Sequence, residues 1–181
     1  AYFEIVDKIV ATASVPVALK ISPYFSNLGP MIQHLSRTGI AGLVLFNRFF
    51  SPDIDIDNFK VKPSFVFSNP AELALSLRWV AIMAQKVDCD LAASTGVHDG
   101  SALIKQLLAG AKAVQTASCL YKKGPAHIET MLDSLKDWMQ THGFNSLDDF
   151  RGRMSQEKSS NPAVYERAQF MRYFGGDKDV T

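Results

Sequence analysis

The sequence has 181 residues, 47% hydrophobic and 20% charged, which fits one ordinary globular domain and excludes a disordered tail or a collagen-like fibre. Nineteen Lys and Arg against eighteen Asp and Glu leave a net charge of +1, so no charge excess points to nucleic acid or an acidic membrane. Cys89 and Cys119 are too few for a disulfide framework or a zinc cluster, no apolar run reaches the roughly 18 residues of a membrane span, and a reducing cytoplasm is the default setting.

In chain order, Tyr2, Val6, Ile9 and Val10 recur at helical spacing from the second residue. The opening AYFEIVDKIV is charged and amphipathic, unlike a signal peptide. A start inside a helix gives the expectation of a piece cut from something longer. Val15 to Ser22 is a short apolar run rich in β-branched residues and ended by Pro23, which reads as a buried strand with a polar tip. Leu28, Met31, Ile32 and Leu35 share a helix face, with Asn27 placed to cap it and Gly39 to stop it. Gly42 to Asn47 reads as a second buried strand. From Arg48 to Pro63, DIDIDNFKVK alternates apolar and polar residues with period two, the pattern of an exposed hairpin or flap inserted after that strand.

SNPAEL opens a long helix whose Leu73, Leu77, Val80 and Ala84 face the core. Asp90 to Ser94 is a third strand, turned by Gly96 and Gly100 into a helix carrying Leu103, Ile104, Leu107 and Leu108 and closed by Gly110. Ala113 to Ser118 is the fourth strand. After Gly124-Pro125, Ile128, Met131, Leu132, Leu135, Trp138 and Met139 form the stripe of another helix, SLDDFRG a short extra one, and residues 153–181 a polar tail with Phe170, Tyr173 and Phe174. Four strand-then-helix units imply parallel strands with right-handed crossovers, and strands apolar throughout imply that both faces are covered. An open doubly wound sheet satisfies this. So does a (β/α)8 TIM-type barrel, which needs about 250 residues, so that this α/β chain would hold four of its eight units.

In either architecture ligands gather at the carboxyl ends of the strands. Those tips carry Lys20 and Ser22; Asn47 and Arg48; Ser94, Thr95, Gly96 and His98; and Gln115, Thr116, Ala117 and Ser118. A lysine within an apolar strand must find a polar partner for its ammonium, either as a structural pair or as a cation held against an anionic ligand or an electron-rich ring. Ser94-Thr95-Gly96 and Thr116-Ala117-Ser118 are small, partly hydroxylic tips at which backbone amides can cradle a phosphate, or are plain turn chemistry. Asn47 donates and accepts at once, suiting a planar ligand with amide-like edges or a backbone cap. His98 beside Asp99 resembles an oriented base, although Asp99 also suits a helix N-cap. His34, His127 and His142 lie on helices without metal-ligand spacing, and Cys119 reads as packing. No Ser-His-Asp order, P-loop or paired-carboxylate spacing stands out.

VALKISPY, GLVLFN and above all LAASTGVHDGSALIKQLLAGAKAVQTASCLYKKG resemble the second half of dihydroorotate dehydrogenase-like flavoproteins, over Val15 to Gly152. The resemblance implies a (β/α)8 barrel that binds FMN at the strand carboxyl ends and oxidises dihydroorotate to orotate in pyrimidine biosynthesis. It places Lys20 near the flavin ring, Asn47 on the substrate's pyrimidine edge, and Ser94, Thr95, Gly96, Ala117 and Ser118 around the FMN phosphate, with no metal. The family's usual Thr-Gly-Gly turn is Ser94-Thr95-Gly96 here, its Gly-Thr is Ala117-Ser118, and SNPAEL replaces its glycine-rich loop. The base that takes the substrate's proton precedes the lysine strand in this family. The expectation is therefore residues 1–152 as the C-terminal half of a flavin-binding barrel, with the 48–63 flap inserted and the base elsewhere, so that these residues alone lack turnover. Alternatives are a flavin-free phosphate-binding barrel enzyme, and a non-catalytic half-barrel that self-associates through open sheet edges, a homo-oligomer in either setting.

Overall fold

The computed structural model describes residues 2–49, 51–64 and 66–165. A helix α1 (Tyr2–Thr12) leads into four parallel strands, β1 (Ala18–Ile21), β2 (Gly42–Leu45), β5 (Asp90–Ala93) and β6 (Ala113–Val114), in the spatial order β1-β2-β5-β6. Between them run α2 (Leu28–Ser36), the antiparallel hairpin β3 (Ser51–Asp55) and β4 (Lys60–Ser64), α3 (Leu73–Met83) and α4 (Gly100–Ala109). After β6 come α5 (Ser118–Lys123) and α6 (His127–Thr141). Four βα units in sequential spatial order are the arrangement of a partial TIM barrel.

Register follows the apolar runs. Lys20 pairs with Val44, Val44 with Ala92, and Ala92 with Ala113, so equivalent positions of all four strands share one level. The ladder continues one step beyond the strands, where the amides of Asn47, Ser94 and Gln115 donate to the carbonyls of Ile21, Leu45 and Ala93. The face holding Ile21, Leu43, Leu45, Leu91 and Ala93 packs on Ile32, Leu35, Val80 and Met83 of the helices. The opposite face does not meet the expectation of full cover: Ala18, Lys20, Ala113 and Gln115 are exposed there. Closure of a barrel buries that interior face, and four strands alone leave it open.

Helix ends follow local chemistry. Asp99 Oδ1 accepts from the Ala102 amide and caps α4, and Gly110, at φ +122°, ends it. Asn69 Oδ1 accepts from the Ala71 amide, and Glu72 Oε2 from the Asn69 amide, forming a capping box on a 3₁₀ turn (Pro70–Glu72) that runs into α3. Asn27 precedes α2 but makes no side-chain cap bond. The fourth strand is shorter than its apolar run: Ser118 is the first residue of α5 and not part of β6. The extra helix of SLDDFRG is a 3₁₀ turn, Leu147–Asp149.

The inserted segment is a two-stranded ribbon, with Asp53 opposite Lys62 and Ile54 opposite Val61. Chain beyond Gly152 packs on the helices. The Met154 amide donates to Leu108 O and that of Gln156 to Ala81 O, Tyr165 Oη donates to Met154 O, and Ser155 is fully buried. Phe170, Tyr173 and Phe174 lie outside the described residues.

Candidate functional site

The carboxyl ends of the four strands enclose a cavity of about 740 Å³. Lys20, Asn47, Ser94, Thr95, Gly96, Ala117 and Ser118, drawn from four different tips, all line it. Arg48, Ser68, Gln115 and Thr116 complete its polar wall, and Val66, Val97, Val114, Leu120 and Ile128 its apolar part. No Asp or Glu is among these lining residues, whereas two cations are.

Lys20 leaves β1 on the open face of the sheet, where its Nζ donates to Ser94 Oγ at 3.1 Å and to Gln115 Oε1 at 3.4 Å. Both partners are neutral, and none of the ion pairs among the described residues includes Lys20. A cation oriented by dipoles and left without a counter-ion presents positive potential to the cavity. Arg48, by contrast, is neutralised by Glu72 at 2.7 Å.

The third tip is tight. Gly96 sits at φ +77°, and a Cβ there would overlap the Leu73 backbone nitrogen. Thr95 beside it also has a left-handed backbone, φ +82°, a strained geometry for a β-branched residue. The amides of Gly96 and Ala117 find no acceptor among the described residues, and that of Ser118, first in its helix, has none within it. All three residues line the cavity.

Beside Ser118, Ser68 holds the rim through three atoms. Its amide donates to Ser118 Oγ at 2.9 Å, its carbonyl accepts from Lys122 Nζ at 3.4 Å, and its hydroxyl shares a 3.0 Å hydrogen bond with His98 Nε2. Ser68 and His98 are both buried. Burial, then the charges of Lys122 and Lys123, holds the imidazole below its ordinary pKa of 6.5, against an opposing pull from Asp99. The His98 carbonyl accepts from His127 Nε2 at 2.9 Å.

The expected residues therefore converge, with corrections of role. The Ser118 hydroxyl is an acceptor for the Ser68 amide, and Thr116 Oγ1 donates to Val97 O, so both hydroxyls at the fourth tip are internally engaged. Asp99 is the α4 cap. Cys119 is fully buried, its sulfur 2.9 Å from Thr116 Oγ1. Ser68 is the member that sequence reading did not place in the site, because SNPAEL carries the signature of a helix start. Among the described residues no group of three or more His, Cys, Asp or Glu could hold a metal, and no helix is long and apolar enough to cross a membrane.

A family model described as dihydroorotate dehydrogenase matches residues 2–139. The chloroplastic dihydropyrimidine dehydrogenase (NADP(+)) of Arabidopsis thaliana is 26% identical over 98% of this chain and 47% of its own length. The catalytic subunit of dihydroorotate dehydrogenase B (NAD(+)) from Methanothermobacter thermautotrophicus is 27% identical over 83% of this chain and 51% of its own. The chain thus spans about half the length of the curated relatives it matches. Among solved structures, ligand-free DHODH from Eimeria tenella superposes with a TM-score of 0.61 at 22% identity, over 75% of this chain and 39% of that one. The same half-barrel topology and a family model that covers most of the sequence agree: the chain belongs to the dihydroorotate dehydrogenase family.

Proposed function

We propose that the full-length protein is an FMN-dependent oxidoreductase that dehydrogenates a dihydroorotate-like ring, and that this chain is the part of its barrel that holds the cofactor. The observation that carries the reading is a cavity at the strand tips lined by Lys20 and Arg48 and by no carboxylate. That donor set fits FMN: a cation without a counter-ion among the described residues for an electron-rich ring, and amides at Gly96, Ala117 and Ser118 without an acceptor among those residues for the phosphate. Ser94 and Gln115 orient the Lys20 ammonium, Thr95 shapes the turn before Gly96, and Asn47 offers an amide to the substrate's ring edge. FMN, when bound, supplies the two-electron acceptor. The proton-accepting base lies outside these residues in this reading, so the 181-residue chain alone does not turn over. In the isolated 181-residue chain the open edges of β1 and β6 are sites of homo-oligomer contact, and the free thiols of Cys89 and Cys119 suit the cytoplasm.

The test is the visible spectrum of the full-length protein, purified without added cofactor, followed by Lys20→Met. Bound flavin is expected in both, with dihydroorotate oxidation slowed on the order of 10²-fold in the variant, as for the loss of one preorganised donor to developing charge. A colourless protein that takes up no FMN would overturn the reading and leave a flavin-free phosphate-binding barrel. A second reading, a ring without the carboxylate, is favoured by the Arabidopsis relative that aligns with 98% of this chain. Faster turnover of dihydrouracil than of dihydroorotate would select it.

A further inference from the structure

Arg48 follows Asn47 at the tip of β2, and its guanidinium is spread over three acceptors. Nε donates to Glu72 Oε1 at 2.7 Å, Nη1 to Val66 O at 3.0 Å and Nη2 to Phe67 O at 3.4 Å. Arg48 lies just before the β3-β4 hairpin and both carbonyls just after it, so one side chain ties together the two ends of the insertion. Glu72 is fixed in turn, because its second oxygen accepts from the Asn69 amide at 2.6 Å. The pair is largely shielded, with side-chain exposures of 21% and 30%, and a planar fork with five donors suits a carboxylate and two carbonyls at once. Arg48 also separates two spaces. With Asn47, Ser94 and Thr95 it lines both the large cavity and a neighbouring hollow of about 190 Å³, and Glu72 lines only the hollow.

We propose that Arg48 is a positioning residue: it clamps the base of the hairpin and thereby holds the adjacent Asn47 amide where the ring of a bound ligand requires it. The proposal rests on the function proposed above. Arg48 engages protein acceptors through all three of its nitrogens and acts through its neighbours, so its loss affects the ring end of the cavity more than the amides at Gly96 and Ala117, which belong to other strands.

Arg48→Gln and Arg48→Lys in the full-length holoenzyme test this, with orotate as the probe of the ring end and FMN retention as the probe of the rest. The Kd of orotate, read from its perturbation of the flavin spectrum, is expected to rise about tenfold in Arg48→Gln while FMN stays bound, the size typical for loss of a charged hydrogen-bonding partner. Arg48→Lys keeps the charge beside Glu72 but cannot span the carbonyls, so it is expected to recover only part of that affinity. Faster amide hydrogen exchange over residues 51–64 is expected in both variants. A merely structural staple would lower Tm and leave orotate affinity unchanged, and that result overturns the proposal. Should Arg48→Gln fail to fold, Arg48→Lys decides by the same Kd. Should the wild-type protein bind no flavin, the functional reading falls separately, and unchanged exchange over 51–64 in Arg48→Lys then overturns the clamp as well.

Discussion

His98 and Ser68 meet across 30 residues of sequence with a 3.0 Å hydrogen bond in a buried setting beside two lysines. The folded protein favours the neutral imidazole, so the unfolded chain binds more protons just below pH 6.5. Stability contributed by this residue is therefore complete above pH 6.5 and declines as pH falls from there through the lowered folded pKa. His98→Gln keeps a hydrogen-bonding group and removes the titration. Urea midpoints measured between pH 5 and 7.5 are expected to fall more steeply on acidification for the wild type than for the variant, and parallel profiles would contradict this. The sequence placed His98 at a strand tip because it follows an apolar run and a glycine turn. It could not disclose the Ser68 partner, since no local pattern links the two.

At the scale of elements, the third tip and the start of α3 are joined by the close approach of Gly96 to Leu73. Gly96→Ala meets two penalties, a left-handed backbone and overlap with Leu73, and is expected to cost about 3 kcal/mol or more. Gly143 has a comparable φ of +71° with nothing within 4 Å of its would-be Cβ, so Gly143→Ala carries only the strain, about 1–2 kcal/mol. Chemical denaturation of the two variants isolates the contact, and equal losses would mean that the tip and the helix are not coupled through it. The strands and the hairpin were legible because apolar runs ending in polar residues and a strict period of two are local signals. Helix α5 was not, because SCLYKK has no apolar repeat and Gly124-Pro125 marks a start after it. In the sequence Ser68 opens a helix-start motif, and it does stand just before the Asn69 cap, while its second role depends on Ser118, 50 residues away.

For the whole molecule, the decisive feature is a four-stranded sheet whose outer strands, β1 and β6, lack a second neighbour among the described residues. Unpaired strand edges next to an exposed sheet face invite pairing, so the 181-residue chain is expected to self-associate in size-exclusion chromatography with light scattering. Ala18→Lys, on the exposed face of β1, is expected to shift it toward monomer, and a wild-type monomer at micromolar concentration would contradict the idea. Half a barrel was legible from four βα units, but its uncovered face was not, because an apolar strand reads the same whether helices or other strands cover it. The rim at Ser68 also bears on how the protein can be labelled. Its amide, carbonyl and hydroxyl each hold a different partner, so an epitope or fluorophore-binding peptide spliced between Val66 and Asn69 would dismantle all three attachments. The turn at residues 56–59 is solvent-facing, with Phe59 91% exposed, and the same peptide placed there would report on the intact protein.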